Sequence, residues 1–146
     1  MQDTSSIGVH VRIKASKTYP NGITIRAFPE DGDVGTTGET DIASSASGVN
    51  GDLIVWSTVN GIEVSVPVIP NTPDSELLDR LYQANRPSVN HFPAKDRIQM
   101  VVTNPVTGVA KTYKNGYIRN GNVGKTYGGD GRIRTLNYGF TFEDAV

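Results

Sequence analysis

The 146-residue sequence, with a mass of 15.7 kDa, is long enough for one domain with a sizeable core and too short for two ordinary domains. Its 14 Lys and Arg residues nearly balance 15 Asp and Glu residues, so the net charge of −1 gives no general attraction to nucleic acid or anionic membranes. The sequence contains no Cys, which excludes disulfides and thiolate metal sites. No apolar run approaches the ~18 residues of a membrane span and the start is too polar for a signal peptide, so we expect a soluble protein that is not secreted.

The composition favours β structure. The chain has 16 Val, 11 Ile and 14 Thr residues but only 5 Leu and 8 Ala. β-Branched side chains pack well on a pleated sheet and lose rotamer freedom in a helix. Asn-Gly, the pair most typical of tight hairpin turns, occurs five times, at Asn21, Asn50, Asn60, Asn115 and Asn120. These features predict a mostly antiparallel β protein.

Alternating apolar and polar residues predict about seven strands along the chain. They fall near residues 9–14, 23–28, 53–56, 62–68, 98–102, 110–118 and 135–142, the sixth leading through the Asn115-Gly116 pair. One apolar face per strand predicts two packed antiparallel sheets, as in a β-sandwich or small barrel. The third strand differs, because Leu53 and Val55 alternate with Ile54 and Trp56, so we expect both of its faces to be covered.

One segment, residues 73–86, has a helical pattern instead. Thr72 is suited to cap a helix and Pro73 to its first position, with carboxylates following in the first turn. Leu and Tyr side chains recur at helical spacing over residues 77–82, and Pro87 ends the run. We therefore predict one helix that flanks a sheet through its Leu and Tyr side chains.

Residues 29–52 differ from the rest of the chain. They are rich in Gly, Ser, Thr and acidic residues and have almost no large apolar side chain. A structureless loop of this length is uncommon inside a compact domain unless it has a function. Two interpretations are open: a mobile surface loop, or an arm or extended hairpin that becomes ordered against a neighbouring subunit.

Charge is segregated along the sequence. No Lys or Arg occurs within residues 27–79, which hold ten acidic residues, whereas residues 80–146 hold ten basic and four acidic ones. Either the two blocks mix in space and cancel within one molecule, or an acidic face of one copy meets a basic face of the next in a head-to-tail contact. For the second interpretation, the candidate contact residues are Glu30, Asp31, Asp33, Glu39, Asp41, Arg119, Lys125, Arg132 and Arg134.

Motifs for catalysis or for nucleotide and metal binding are not found. Residues 121–126 resemble part of a phosphate-binding loop, but Arg119 stands where its first Gly is required and no helix-forming run follows. His10 and His91 are isolated from each other and from metal-ligand spacings. The mixture of Arg, Lys and Tyr near the C-terminus suits nucleic acid or a protein interface, and the acidic block favours the interface. We expect no enzyme activity, no cofactor and no metal.

The order of these elements resembles the tail tube proteins of contractile-tailed bacteriophages, relatives of the type VI secretion tube protein. The resemblance begins with an initial hairpin and the Gly- and acid-rich segment. It continues with residues 61–69 running into residues 73–81, with strands near residues 98–102 and 116–118, and with a closing strand that ends in Tyr-Gly-Phe-Thr-Phe at residues 138–142. It covers most of the chain.

The resemblance implies a structural virion protein. In that family six copies close into a ring with a continuous inner barrel, and rings stack into a tube inside a contractile sheath, with the genome passing through the lumen. Residues 1–146 would form one tail-tube-like domain whose segment 29–52 reaches an adjacent ring. The implied partners are other copies of the chain, the tail sheath protein, baseplate and tail-terminator proteins, and DNA in passage, with no membrane. The implied location is the virion, after assembly in the host cytoplasm.

Two other classes fit the same sequence. The first is another ring-forming tail component, such as a tail terminator or head–tail joining protein. The second is a monomeric β-sandwich binding module, for instance for carbohydrate, in which Trp56, Tyr117 and Tyr127 are the candidate exposed aromatic residues. Images of concentrated protein would separate rings from tubes, and the mass in solution would identify a monomer.

Overall fold

Nine strands and one helix make up the regular structure of residues 7–30 and 32–146, which the computed structural model describes. The strands are β1 His10–Ala15, β2 Tyr19–Ile25, β3 Thr36–Thr37, β4 Ala43–Ser47, β5 Leu53–Ser57, β6 Ile62–Val68, β7 Ile98–Asn104, β8 Val109–Asn120 and β9 Leu136–Ala145, and the helix is α1 Pro73–Asn85. Seven strands form one antiparallel sheet in the order β2-β1-β7-β8-β9-β6-β3, and β4 and β5 form a second sheet. The predicted mainly β fold with two antiparallel sheets and one flanking helix is confirmed.

The core lies on one face of the seven-stranded sheet. Alternate residues of each long strand point towards this face, as the period of two in the sequence predicts. The buried apolar residues are Val11, Ile13, Ala15, Ile25, Val64, Val66, Val68, Leu78, Leu81, Ile98, Met100, Tyr113, Leu136, Tyr138, Phe140 and Phe142. The rings of Phe140 and Phe142 stack with their centroids 6.2 Å apart. Six strands and the helix therefore share a single apolar cluster.

The seven-stranded sheet curls so that its two flanks meet. The backbone N–H of Ile69, just after β6, donates a 2.9 Å hydrogen bond to the carbonyl of Ala27, just after β2. In the first turn of α1, the carboxylate of Asp74 accepts hydrogen bonds from the N–H groups of Arg26 at 2.8 Å and Ala27 at 2.9 Å. Because these groups lie at a strand end, the carboxylate supplies the partner that the sheet lacks there. The Asp74 carboxylate also joins the helix to the end of β2.

Helix α1 begins where the sequence predicts. The hydroxyl of Thr72 accepts a 3.2 Å hydrogen bond from the N–H of Ser75, and the Ser75 hydroxyl accepts one of 3.1 Å from the N–H of Thr72. This reciprocal capping box pairs two N–H groups that a helix start leaves free. Leu78 and Leu81 are fully buried on the face that the Leu pattern predicts. The helix thus covers part of the core.

A buried carboxylate holds three parts of the fold together. Asp96, before β7, accepts hydrogen bonds from the N–H of Lys17 at 2.8 Å, from the N–H and hydroxyl of Thr18, and from the side-chain amide of Asn85 at 2.9 Å. Burial alone would raise its pKa, but these hydrogen bonds outweigh burial and lower the pKa of Asp96. The β1–β2 turn, the end of α1 and the start of β7 therefore meet at one charged group.

The Asn115-Gly116 pair does not form the hairpin turn that its sequence favours. Strand β8 runs through it, and the register with β7 shifts there, so the pair forms a bulge in which Asn115 has a φ of 53°. A Cβ at Gly116 would lie 2.6 Å from the carbonyl oxygen of Thr141, which explains the glycine. A hairpin turn forms instead at Asn50-Gly51, where residues 48–52 connect the paired Ser47 and Leu53 and Gly51 has a φ of 85°.

Candidate assembly surfaces

The β4–β5 hairpin exposes large apolar side chains. Leu53 is 69% exposed, Ile54 55%, Val55 59% and Trp56 48%. Because successive residues of a strand point to opposite sides, two of these four side chains lie on each face of the hairpin. The expectation that both faces are covered is wrong for the isolated chain, since the described residues leave both open. A covering surface would have to come from outside the described residues.

Strand β4 complements β5 with small side chains. Its sequence, Ala-Ser-Ser-Ala-Ser, pairs with β5 from Ala43 opposite Ser57 to Ser47 opposite Leu53. At the base of the hairpin, the carbonyl of Asp41 accepts hydrogen bonds from the Thr58 hydroxyl at 3.2 Å and from the Asn60 side-chain amide at 3.0 Å. The base is therefore fixed, but a two-stranded hairpin without further cover is only marginally stable in water.

Four of the predicted acidic contact residues are exposed on the chain that leads to the hairpin. Glu30 and Asp33 precede β3, and Glu39 and Asp41 lie between β3 and β4. Asp31 lies outside the described residues. Among residues 7–30 and 32–146, none of these four carboxylates forms an ion pair. The segment 29–52 thus carries unneutralised negative charge beside an uncovered apolar hairpin.

Three of the four predicted basic contact residues have partners within their own chain. The partners are Glu63 for Arg119, Asn71 for Lys125 and Asp130 for Arg134. The fourth, Arg132, is exposed. Arg119 and Arg134 therefore pair with acidic residues of their own chain. That any of the four basic residues contacts another copy stays a prediction.

A cavity of about 320 Å³ lies between the start of α1 and residues 122–125. Tyr138 lines it and is 1% exposed, and its hydroxyl has no hydrogen-bond partner among the described residues. Burial, and then the negative charge of Asp79 and the neighbouring Tyr82, raise the pKa of Tyr138 to about 12. At neutral pH this hydroxyl is therefore neutral, and it offers hydrogen bonding rather than a charged nucleophile.

Residues suited to other chemistries are dispersed over the structure. In the described ranges, no three His, Asp or Glu side chains are grouped so that they could hold a metal ion. Within the same ranges, no helix has the length and apolar character needed to cross a membrane. The aromatic residues considered for carbohydrate binding lie on separate elements, Trp56 on β5, Tyr117 on β8 and Tyr127 in the following loop. No single strand presents them as a row.

The fold of the chain occurs in contractile injection systems. It matches a chain of the anti-feeding prophage baseplate with a TM-score of 0.58 and 12% identity, covering 100% of this chain and 95% of that one. It also matches a chain of the PVC sheath/tube terminator, from an extracellular contractile injection system, with a TM-score of 0.54 and 10% identity. That match covers 100% of this chain and 96% of the other. At such low identity the similarity defines the fold alone.

The sequence itself identifies the family. A family model described as tail fiber protein gp32 matches residues 2–146. The chain therefore belongs to the tail fiber protein gp32 family, as a structural tail component with the fold of contractile injection system proteins. No curated protein sequence matches it.

Proposed function

We propose that the chain is a ring-forming structural subunit of a contractile tail, and that its rings stack into the inner tube through which DNA passes. Each ring would hold six copies, as in the tail tube proteins that the sequence resembles. The partners would be other copies of the chain, the sheath, and the baseplate and terminator proteins. The protein would be assembled in the host cytoplasm and reside in the virion, and its role would be structural rather than catalytic.

The uncovered β4–β5 hairpin is the observation that supports this proposal most strongly. Fully burying a Leu, Ile or Val side chain contributes about 1.5–3 kcal/mol, and β5 leaves three such side chains and Trp56 in solvent. Among the described residues β4 and β5 pair only with each other, so each has an open edge. In a ring, neighbouring subunits would cover both faces and pair these edges, which otherwise invite aggregation.

The margins of the seven-stranded sheet support the same role. On one flank, β3 pairs with only two residues of β6, Val64 and Ser65. On the other flank, β2 pairs with β1 alone among the strands of the described chain. Away from the hydrogen bond between Ile69 and Ala27, sheet edges of this kind can accept strands from neighbouring subunits.

A second candidate is a single ring at one end of the tail. The observation that favours it is the fold similarity to a baseplate chain and to a sheath/tube terminator chain. Such a ring would use the same lateral contacts between copies but would not repeat along the tail axis. The two candidates therefore differ in stacking and agree on ring formation.

Electron microscopy and mass measurement of the purified chain at rising concentration would test the proposal. We expect rings, and at high concentration stacked tubes with an open channel. Rings that never stack would favour the terminal ring. A chain that stays monomeric at every concentration would contradict both candidates, and solid elongated fibres would favour the role that the family description names.

A hairpin variant would link this result to the structure. Leu53→Asp with Val55→Asp places two charges on one face of β5, and we expect ring formation to weaken by at least about tenfold, because burying an unpaired charge costs several kcal/mol. Val89→Asp is the control, since Val89 is fully exposed and lies outside the hairpin. Equal ring yields for the two variants would show that the hairpin is not the contact.

A further inference from the structure

We infer that a basic groove on the outer face of the seven-stranded sheet receives the acidic side chains that surround the β4–β5 hairpin of a second copy of the chain. The groove is lined by Lys14, Arg97 and Lys114, together with Gln99 and Asn115. The acidic side chains are Glu39, Asp41 and Asp52, all of them exposed. The inference rests on the proposed self-assembly and adds the surface that receives the hairpin.

Three neighbouring strands bring the cations of the groove together. Lys14 on β1 lies opposite Gln99 on β7, and Arg97 is two residues from Gln99, so alternation places all three on one face. Lys114 on β8 follows Tyr113, whose ring is buried in the core, and therefore points to the same outer face. The bulge at Asn115 lies beside them, and the groove has a volume of about 360 Å³.

The positive charges of the groove form no ion pairs among the described residues. Within residues 7–30 and 32–146, none of Lys14, Arg97 and Lys114 forms an ion pair, and the lining contains no acidic residue. The nearest acid in the strand register is Asp144, opposite Lys114, and its carboxylate accepts a 2.8 Å hydrogen bond from the N–H of Ala145. An anionic partner would therefore relieve repulsion among the cations as well as gain attraction.

The basic groove contrasts with the basic residues that the sequence singles out. Arg119 and Arg134 already pair with carboxylates of their own chain, and Lys125 is bonded to an amide. Such residues would have to exchange an existing partner on assembly. The cations of the groove form no ion pair among the described residues that would have to break on assembly. The groove is therefore a better surface for acidic side chains than Arg119, Lys125 and Arg134.

The occupant is a second copy because the complementary surface is part of the same chain. No Lys or Arg occurs within residues 27–79, so every charged side chain of the hairpin and of the segments that flank it is acidic. Its apolar faces are also left uncovered by the described residues. One contact would bury one of those faces and neutralise both charged surfaces. Because the groove and the hairpin are different patches of one molecule, the contact is head-to-tail and repeats around a ring or along a stack.

A charge exchange would test the inference. Lys14→Glu with Lys114→Glu should slow assembly at low salt by at least about tenfold, since like charges would then meet. Adding Asp41→Lys and Asp52→Lys to the same chain should restore it. The control carries the same change of charge outside the groove, at Lys111 and Arg86, which are exposed and are not candidate contact residues. Thermal unfolding of each dilute variant reports whether it is folded.

The outcomes separate this inference from the proposed function. Slow assembly of the groove variant, rescue by the exchange and a normal control would support the groove. Normal assembly of the groove variant, failure of the rescue in a folded chain or an equal effect in the control would overturn it. If the groove variant assembles normally but loses binding to labelled duplex DNA, the occupant is nucleic acid and the inference is wrong. A wild-type chain that never assembles would contradict the proposed function itself.

Discussion

The curled seven-stranded sheet covers its apolar side chains within the chain, whereas the β4–β5 hairpin leaves its apolar side chains exposed. The sheet buries its apolar stripes against itself and α1, and the hydrogen bond from Ile69 to Ala27 joins its flanks. The hairpin carries equally apolar side chains on β5 and leaves about half or more of each exposed. Apolar periodicity therefore marks an apolar surface, and by itself does not show whether the same chain covers that surface.

The comparison separates two kinds of stability. Contacts of the sheet are made within one chain, so substitutions there should change unfolding of the dilute monomer. Contacts of the hairpin would be made between chains, so substitutions there should change assembly and leave the monomer nearly unaffected. Measurements of unfolding and of assembly for variants in each region can therefore show which contacts are made within one chain and which between chains.

The largest expected effect is in the sheet core. Phe140→Ala removes a fully buried ring that stacks on Phe142 and should lower the free energy of unfolding by about 3–5 kcal/mol. Urea unfolding of the dilute chain measures this. Val106→Ala is the control, since Val106 lies in an exposed turn and should change stability by no more than about 0.5 kcal/mol. A loss below about 1 kcal/mol for Phe140→Ala would contradict a self-contained sheet.

An intermediate effect is expected at the carboxylate that joins β1, α1 and β7. Asp96→Asn keeps one acceptor oxygen for the N–H groups of Lys17 and Thr18, but puts a donor where the second oxygen accepts from the Thr18 hydroxyl and the Asn85 side-chain amide. This change should cost about 1–3 kcal/mol at neutral pH. Because the pKa of Asp96 is lowered in the folded state, its contribution is complete above the unfolded pKa of about 4 and is lost as the pH falls through the folded value.

Unfolding of wild type and Asp96→Asn from pH 7 down to pH 3 measures this dependence. The difference between the two should be constant above about pH 5 and should shrink at lower pH. A difference that does not change with pH would mean that Asp96 acts through its shape rather than its charge. Asp33→Asn is a suitable control, because Asp33 is exposed and outside this cluster.

Local signals in the sequence predicted much of the sheet and the helix. The capping residues Thr72 and Pro73 located the start of α1, and period-two stripes located most of the core strands. Asn-Gly was less reliable, because its preference for a turn is local, whereas pairing with β7 and β9 on both sides keeps β8 continuous through Asn115. The strand at β4 went unpredicted, since its small residues show no apolar alternation.

The candidate surfaces were predicted only in part. The acidic residues of segment 29–52 could be named as candidates because they cluster in sequence, and their part in contacts stays a prediction. Lys14, Arg97 and Lys114 are far apart in sequence and meet only through the strand order β1-β7-β8, so no linear pattern could group them. Conversely, Arg119 was recognised by proximity to other basic residues, but the register of β6, β9 and β8 brings it to Glu63.

The smallest expected effect on the stability of the monomer is at Trp56, which lies in the hairpin rather than in the sheet. Trp56→Ser removes a large side chain that is 48% exposed on β5, so unfolding of the dilute chain should change by no more than about 0.5 kcal/mol, while ring formation should weaken. Wild-type Trp56 fluorescence, the only tryptophan signal in the protein, should shift to shorter wavelength on assembly as the indole leaves water. If Trp56→Ser instead destabilised the monomer as Phe140→Ala does, the hairpin would pack on its own chain, and the difference between the two regions would disappear.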